Sequence, residues 1–292
     1  MNCLVTGGSG FIGKNLVKRL NQNGHIVKIY DRKEGNDILD LGKLINEMEG
    51  CNTVFHLAAR ADLRSNTGEP YYVYENNTVG TANVLEAMRR NKVKRIVFAS
   101  SGSVYGEPNV FPTPEDAPFP KQTSIYAASK LAGEGLIQAY QEAFGIQGYI
   151  FRFVSNVGEH YSHGHVLDFY KKLKANPEEI QILGNGKQRK SYVYVGDTIE
   201  AIMTALQTTS GGVFNLGTDE YCNVFESLGY ISERMGIKDL HIKTETNERG
   251  WVGDSPFIYL DCKKLNNLGW YPKLTIRQGI ERTIDYFKEI GL

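Results

Sequence analysis

The chain has 292 residues, of which 41% are hydrophobic, and its 33 lysines and arginines balance its 33 aspartates and glutamates. A neutral chain offers no overall field for nucleic acid or for an anionic membrane surface, so we predict neither partner. No apolar run approaches the roughly 20 residues of a membrane span, and the N-terminus shows no signal-peptide pattern. The 4 scattered cysteines form no C-x-x-C pair, which favours reduced thiols and a cytoplasmic protein.

The first segment of the chain has the pattern strand, glycine turn, helix. Gly7, Gly10 and Gly13 follow the apolar strand Cys3–Thr6 with the spacing G-x-x-G-x-x-G. Gly7 allows a tight turn, Gly10 lets the backbone approach a pyrophosphate, and Gly13 lets the helix pack close to the strand. Phosphates bind at the N-terminus of such a helix because its free N–H groups and its dipole favour anions. The segment therefore predicts a dinucleotide site.

The choice of dinucleotide is indicated by Asp31. It ends the second predicted strand, His25–Tyr30, about 20 residues after the glycine turn. An aspartate there accepts hydrogen bonds from the ribose hydroxyls and repels a 2′-phosphate, which favours NAD over NADP. The neighbouring Arg32 and Lys33 weaken this preference. We therefore predict NAD as the cofactor.

Strand and helix patterns alternate through the first half of the chain. Helical patterns, one of them from about 71 to 91, separate further buried strands, which we predict at Thr53–Leu57, Arg95–Ser100 and Gly148–Phe153. Repeated β/α units with short connections predict an α/β protein with a Rossmann-like, doubly wound parallel sheet.

The alternation loosens after Gly158. We therefore predict an NAD-binding Rossmann domain over residues 1–157 and a smaller, mixed α/β domain over 158–292 that mainly binds substrate. A buried strand pattern near the end of the segment 190–217 suggests that this segment returns to the main sheet.

Chemistry is predicted where the strand Ile96–Ala99 ends in the hydroxyls of Ser100 and Ser101. A helical pattern follows, and in it Tyr126 and Lys130 lie one turn apart on the same face. An ammonium beside a phenol lowers the phenol pKa from its ordinary value of about 10. Such a tyrosine can take a proton from a sugar hydroxyl while a serine across the cleft holds the same oxygen.

Two other groups of polar residues lie farther along the chain. His160, His163 and His165 are close in sequence, but no cysteine and no H-E-x-x-H spacing accompanies them, so we predict no metal site. A loop that contacts substrate, or simply a polar loop, fits better. Arg189 and Arg249 are candidates for binding a second diphosphate, because a planar guanidinium bonds two oxygens at once.

Several segments, in order along nearly the whole chain, resemble the signature motifs of the extended short-chain dehydrogenase/reductases. Within that superfamily the chain most resembles the nucleotide-sugar epimerases of the UDP-glucose 4-epimerase type. The segments are Thr6–Gly13, His56–Ala59, Asn77–Thr81, Ser100–Gly106, Tyr126–Lys130, Arg189–Val195 and Leu268–Pro272.

The resemblance implies roles for individual residues. Tyr126 would be the catalytic base and acid, Lys130 would bind the nicotinamide ribose, and Ser101 would hydrogen-bond the 4-oxygen of the sugar. The NAD site would comprise Gly7, Gly10, Phe11, Ile12, Gly13, Asp31, Arg32, Asp37, Ile38, Leu57, Ala58, Ala59, Asn77, Ser100, Tyr126, Lys130 and Phe153. The nucleotide-sugar site would comprise Ser101, Ser103, Tyr126, Ser155, Asn156, Arg189, Arg249 and Asp254.

The resemblance also implies a reaction and an assembly. The expected reaction is epimerisation of a UDP-hexose at carbon 4 by transient oxidation to a 4-keto sugar, with NAD bound throughout. The expected assembly is a homodimer formed through the helices that carry Asn77 and Tyr126. Two departures concern the substrate contacts: Ser155 stands where the family usually has Asn, and Arg249 and Asp254 are farther apart than in the usual R-x-G-D.

Other reactions remain open. A 4,6-dehydratase of nucleotide sugars would use Tyr126 and Lys130, but that branch has Asp-Glu directly after the active-site hydroxyl, where this chain has Gly102 and Ser103. A nucleotide-sugar ketoreductase would consume NADPH, and Asp31 speaks against that cofactor. A non-catalytic NAD(P)-sensing regulator could discard the tyrosine and the lysine, so their retention counts against this class.

Overall fold

The computed structural model of the protein describes residues 1–61, 68–119 and 121–292. The strands in these ranges are β1 (Asn2–Thr6), β2 (Ile26–Tyr30), β3 (Thr53–His56), β4 (Arg95–Ser101), β5 (Gln147–Phe153), β6 (Ser155–Val157), β7 (Glu179–Gln181), β8 (Arg189–Lys190), β9 (Tyr192–Tyr194), β10 (Gly212–Leu216), β11 (Cys222–Asn223), β12 (His241–Lys243) and β13 (Phe257–Ile258). The helices are α1 (Phe11–Gln22), α2 (Leu41–Glu47), α3 (Pro70–Tyr74), α4 (Gly80–Arg90), α5 (Ile125–Phe144), α6 (His165–Ala175), α7 (Val195–Ala205), α8 (Val224–Met235), α9 (Lys263–Asn266) and α10 (Ile276–Glu289).

A six-stranded sheet with the order β10-β5-β4-β3-β1-β2 forms the centre of the molecule. Every neighbouring pair in it is parallel. Because β1 lies between β2 and β3, the chain continues on opposite sides of β1, and the carboxyl ends of the strands diverge there into a crevice. The predicted Rossmann-like, doubly wound sheet is confirmed.

Helices cover both faces of this sheet because alternate residues of each strand point to opposite sides. In β1, Cys3 and Val5 belong to a core cluster that includes Leu16 of α1 and Ile202 of α7. Leu4 belongs to the other cluster, which α2, α4 and α5 complete. Strands buried on both faces read as continuous apolar runs, and this explains why the sequence pattern was informative.

The helix predicted from about 71 to 91 consists of three joined parts. Between α3 and α4, residues Glu75–Val79 form a π-helical turn. This wider turn places the amides of Asn76 and Asn77 in the interior, where both are buried. Single π turns inside α-helices occur frequently at functional sites.

The C-terminal part of the chain builds a separate apolar cluster around α6, α8 and α10. Short sheets with the orders β11-β8-β13, β12-β7 and β6-β9 connect these helices. These elements lie in the range for which the sequence predicts a smaller, mixed α/β domain. Within the described ranges, no helix has the length and apolar character needed to cross a membrane, and the 4 cysteines are free.

Candidate active site

A cavity of about 850 Å³ lies at the carboxyl ends of β1, β3, β4 and β5. Gly7, Leu57, Ser101 and Phe153 line it where those strands end. Residues of the C-terminal part, among them Trp251, complete its wall. The position agrees with the rule that open α/β sheets bind ligands outside the carboxyl ends of their strands.

Most residues predicted for NAD lie in this wall. They are Gly7, Gly10, Phe11, Ile12, Gly13, Asp31, Arg32, Ile38, Leu57, Ala58, Ala59, Ser100, Tyr126 and Phe153. Asp37, Asn77 and Lys130 lie outside the wall. Of the residues predicted for the nucleotide sugar, those in the wall are Ser101, Ser103, Tyr126, Ser155, Asn156 and Asp254.

The glycine turn has the close packing that a dinucleotide cradle requires. Gly7 adopts φ of 72°, and a Cβ added to it would lie 2.7 Å from the backbone nitrogen of Ala58. A Cβ on Gly13 would lie 2.1 Å from the carbonyl oxygen of Gly7. No larger residue fits at either position, so the turn brings bare backbone to the cavity at the start of α1.

Asp31 is oriented by the turn that it faces. Its Oδ2 accepts a hydrogen bond from the backbone N–H of Ser9 at 3.0 Å, and its Oδ1 accepts one from that of Lys33 at 3.0 Å. Each carboxylate oxygen has further lone pairs, which can accept hydrogen bonds from ribose hydroxyls. The residues present therefore fit the adenosine half of NAD.

Arg32, whose positive charge weakens the predicted preference for NAD over NADP, already has partners within the protein. Its Nε donates to Oδ2 of Asp37 at 3.0 Å, and its guanidinium also contacts the Asn76 amide. Asp37 thus pairs with Arg32 but does not itself line the cavity, whereas its neighbour Ile38 does. A guanidinium already paired with a carboxylate is a weaker partner for a 2′-phosphate.

Asn77 supports the cavity from behind. Its Nδ2 donates to Oγ of Ser129 at 2.9 Å and to the carbonyl of Arg60 at 3.1 Å, and its Oδ1 accepts from the N–H of Arg60 at 2.8 Å. These bonds join the loop after β3 to α5. The π turn makes them possible because it turns the amide of Asn77 inward.

The reactive hydroxyls meet where β4 ends and α5 begins. Oγ of Ser101 accepts hydrogen bonds from Oγ of Ser103 at 2.9 Å and from its N–H at 3.2 Å. The phenol of Tyr126, in the first turn of α5, also shares a hydrogen bond with Ser101. Ser124 caps this helix by accepting from the N–H of Ala127 at 3.1 Å, which fixes the start of α5.

The pKa of Tyr126 shifts in the direction opposite to the one predicted. Burial raises it to about 12, and the hydrogen bond from Ser101 lowers it by less. The position of Lys130 one helical turn away predicts a lowered pKa, but in the folded protein the loss of hydration is the dominant effect on the pKa of Tyr126. The Nζ of Lys130 lies 5.9 Å from the centre of the Tyr126 ring.

Lys130 is itself buried, with 3% of its surface exposed. Burial lowers its pKa to about 7, and the carboxylate of Glu134 opposes that shift. Its Nζ lies 4.8 Å from the ring centre of Phe98. A lysine in such surroundings changes its charge near neutral pH, which makes the charges around it important.

The structure separates the two predicted diphosphate arginines from the cavity. The guanidinium of Arg189 packs 4.1 Å from the ring centre of Phe257, and it also faces Tyr221. Arg249 forms an exposed ion pair with Glu107. Neither arginine lies in the cavity wall, whereas Asp254 does.

Another cation, Lys190, lies in the cavity wall, and the sequence did not predict it there. Lys190, next to Arg189, forms an ion pair with Asp254, and its Nζ lies 4.6 Å from the ring centre of Trp251. The two residues of β8 point to opposite sides, so only one of them can face the cavity. Strand alternation was the available signal, but the sequence did not show which residue points inward.

The segment from 158 to 165, for which the sequence favours a substrate-contacting loop or simply a polar loop, forms another part of the wall. Tyr161, His163 and His165 line the cavity. Tyr161 packs edge-on against Phe11 of α1, with 5.2 Å between ring centres. This loop therefore packs against the start of α1 and also lines the cavity.

Two of the three histidines of this segment have hydrogen-bond partners on other elements. Nδ1 of His160 lies 2.8 Å from the hydroxyl of Tyr286, and Nε2 of His165 lies 3.2 Å from Oγ of Ser227. In the part of the chain that the structure describes, no group of three or more His, Cys, Asp or Glu is placed to hold a metal ion.

A Rossmann-like sheet that joins a glycine cradle to a serine, a tyrosine and a lysine defines the short-chain dehydrogenase/reductase class. The chain belongs to the NAD dependent epimerase/dehydratase family, because the sequence model of that family matches residues 3–217. The superfamily resemblance and the prediction of NAD as cofactor are confirmed, and the protein is an NAD-dependent enzyme of this family.

Relatives of known name match over the full length. The UDP-glucose 4-epimerase of Mycolicibacterium smegmatis is 32% identical, with 99% of each chain covered. The UDP-glucose 4-epimerase of Thermotoga maritima, solved with UDP-glucose, is 29% identical and covers 100% of each chain with a TM-score of 0.90. The UDP-glucose 4-epimerase of Thermus thermophilus, solved with NAD, is 31% identical and covers 99% of each chain with a TM-score of 0.87.

Proposed function

We propose that the protein interconverts the C4 epimers of a UDP-hexose, of the UDP-glucose and UDP-galactose type. The observation that carries this proposal is the hydrogen-bonded pair of Ser101 and Tyr126 in the same cavity as the glycine cradle. A phenol and a hydroxyl that share one hydrogen bond can hold a single alcohol oxygen and move its proton. The names of the full-length relatives support the choice of a UDP-sugar.

Side chains of the protein carry out the proton transfers. Tyr126 removes the proton of the sugar 4-hydroxyl, and it returns that proton at the end of the turnover. Ser101 donates to the same oxygen while it becomes a carbonyl, and the Lys130 ammonium stabilises the phenolate. NAD bound in the cradle accepts a hydride from carbon 4 and returns it to the other face of the ring, so no cofactor is consumed.

A sugar that turns over between the two transfers must be held by its nucleotide arm. We propose that Lys190 and Asp254 form the polar part of that arm's site, with Trp251 beside them. Ser155 and Asn156 line the same cavity. Binding energy far from the reacting carbon then restrains the 4-keto sugar without fixing its ring. Under this proposal residues 1–157 serve NAD and 158–292 mainly serve the nucleotide sugar.

A dehydratase is the second candidate, because the family description includes that reaction. It needs an additional acid and base, and Gly102 stands at the position where the first of them would follow the active-site hydroxyl. A Cβ at Gly102 would lie 3.2 Å from Cδ1 of Leu260 and 3.3 Å from Cγ2 of Ile258. This tight packing leaves little room for a carboxylate side chain, which favours epimerisation.

We also propose a homodimer formed through the helices of Asn77 and Tyr126. Apolar side chains are exposed along these helices, with Tyr71 at 71% and Tyr74 at 48% on α3, Val79 in the π turn, and Ile125 and Phe144 on α5. A surface with this many exposed large apolar groups is typical of an interface.

Four free cysteines fit a reducing cytoplasm.

The test uses the purified protein without added cofactor. Denaturing it should release NAD in a yield close to one per chain, and the native protein should convert UDP-galactose to UDP-glucose, as followed by chromatography. A 4,6-dehydratase would instead yield a 4-keto-6-deoxy sugar. A ketoreductase would act only with added NADPH, and either result would refute the proposal.

A further inference from the structure

A carboxylate that the proposed reaction does not use lies under the active site. Glu134 of α5 is buried, with 2% of its surface exposed, and it follows Lys130 by one helical turn. Residues four apart lie on the same helix face, so the two side chains point into the same part of the interior. A buried carboxylate in that place requires partners.

Its partners come from the two strands that carry the site. Arg152 of β5 donates to Glu134 from Nε at 3.0 Å and from Nη2 at 2.7 Å. Ser100 of β4, directly before Ser101, donates from Oγ at 2.5 Å. Ser100 and Arg152 are opposite each other in the register of β4 and β5. The carboxylate therefore joins α5 to both strands at the depth of the reactive hydroxyls.

Arg152 is held from its other side as well. Its Nη1 donates to the hydroxyl of Tyr105 at 2.6 Å and to the carbonyl of Glu115 at 2.8 Å. Every guanidinium nitrogen thus has a partner. A buried ion pair by itself is weak evidence for stability, because desolvation offsets most of the attraction. This makes an effect on a neighbouring group a better explanation for the pair than stability.

Several groups among the described residues interact with Lys130. The aromatic rings of Phe98 and Tyr126 lie near the ammonium and carry no net charge. Burial, together with the charge of Lys130, lowers the pKa of His56 to about 3, so this imidazole is neutral. The carboxylate of Glu134 attracts the Lys130 ammonium and thereby raises the pKa of that lysine. Arg152 neutralises part of the same carboxylate and therefore limits that attraction.

We propose that Glu134 is a charge-setting residue, which keeps Lys130 an ammonium in its buried place while Arg152 limits how strongly it does so. Glu134 does not line the cavity, so we assign it as a positioning residue that acts through Lys130. The proposal rests on the proposed function in one respect, namely that the reaction needs the ammonium form.

The two members of the pair should have opposite effects on Lys130. Glu134→Gln removes the attraction, so the midpoint of Lys130 titration should fall by about one pH unit. Arg152→Met releases the carboxylate from its partner, so the midpoint should rise by about as much. A merely structural role predicts the same disturbance from either change, since both break one ion pair.

The measurement is a titration of 13Cε-labelled lysine by NMR on the protein as purified. The signal of Lys130 is assigned by its loss in Lys130→Met. Arg234→Met, which breaks the exposed 2.6 Å pair with Asp285, is the control and should leave the midpoint unchanged. Midpoints that stay in place, or that move in the same direction in both variants, overturn the proposal.

Each single variant leaves one buried charge unpaired and could fail to fold. The double variant Glu134→Gln, Arg152→Met removes both charges, and it should still lower the midpoint because Glu134 is the group that acts directly on Lys130. An unchanged midpoint in a folded double variant overturns the proposal. The titration needs no substrate, so failure to turn over UDP-sugars would refute the proposed function separately.

Discussion

Lys190 is paired with Asp254, whose side chain is 2% exposed, and both residues line the same cavity as the glycine turn. Its neighbour Arg189 points away and packs on Phe257. A lysine balanced by one buried carboxylate can still donate its remaining protons to a phosphate oxygen. The cation that meets the nucleotide arm is therefore expected to be Lys190.

Lys190→Met should raise KM for the UDP-sugar by about 10- to 100-fold, since a charge-assisted hydrogen bond contributes about 1.5–3 kcal/mol. Turnover at saturation should fall much less, because this contact is remote from carbon 4. Steady-state kinetics on Lys190→Met and Arg189→Met compare the two cations directly. If Arg189→Met shows the larger rise in KM, the assignment of the diphosphate contact is reversed.

Tyr126→Phe should reduce turnover by at least about 100-fold, because it deletes the group that moves the proton. The ring still packs in the same place, so NAD released on denaturation should match the wild-type yield. Tyr140→Phe, on the same helix, is the matched control and should keep full activity. Normal turnover in the Tyr126 variant would exclude this phenol as the base.

The parts of the site that the sequence predicts are those encoded by local spacing. The glycine turn, Asp31 and the pair Tyr126 and Lys130 each depend on residues that are close in sequence, and strand and helix geometry fix where they point. The pKa of Tyr126, in contrast, cannot be predicted from local spacing. It depends on how much water the assembled fold excludes, and that burial is set by residues far away in the chain.

The missing parts of the wall depend on such long-range packing. Asn15 of α1 donates to the carbonyl of Glu159 at 2.9 Å, across 144 positions of sequence, and so brings the segment with Tyr161 and His163 over the turn. No local pattern marks that contact. The inward residue of a two-residue strand such as β8 is equally undetermined, because hydrophobic alternation needs a longer run.

Gly13→Ala should weaken the retention of NAD by about 5- to 150-fold. The added Cβ would lie 2.1 Å from the carbonyl oxygen of Gly7, so the turn must move, at a cost of about 1–3 kcal/mol. Assay of NAD in the supernatant of heat-denatured protein measures the loss. Gly229→Ala on α8 is the control, because no atom lies within 4 Å of its Cβ. That variant should keep NAD and gain up to about 1 kcal/mol from helix propensity.

His56 should make folding sensitive to acid. It is fully buried, its Nδ1 lies 2.7 Å from Oγ1 of Thr6 and its Nε2 lies 2.9 Å from Oγ1 of Thr81, and its pKa is lowered from 6.5 to about 3. A lowered folded-state pKa gives stability that is present above pH 6.5 and is lost as the pH falls toward 3. Between pH 7 and 4.5 the wild type should lose about 2–3 kcal/mol through this group.

His56→Gln, measured by urea unfolding at both pH values, should lack that part of the loss, whereas the exposed-site variant His241→Gln should retain it. Equal losses in the wild type and both variants would show that His56 does not carry the acid sensitivity.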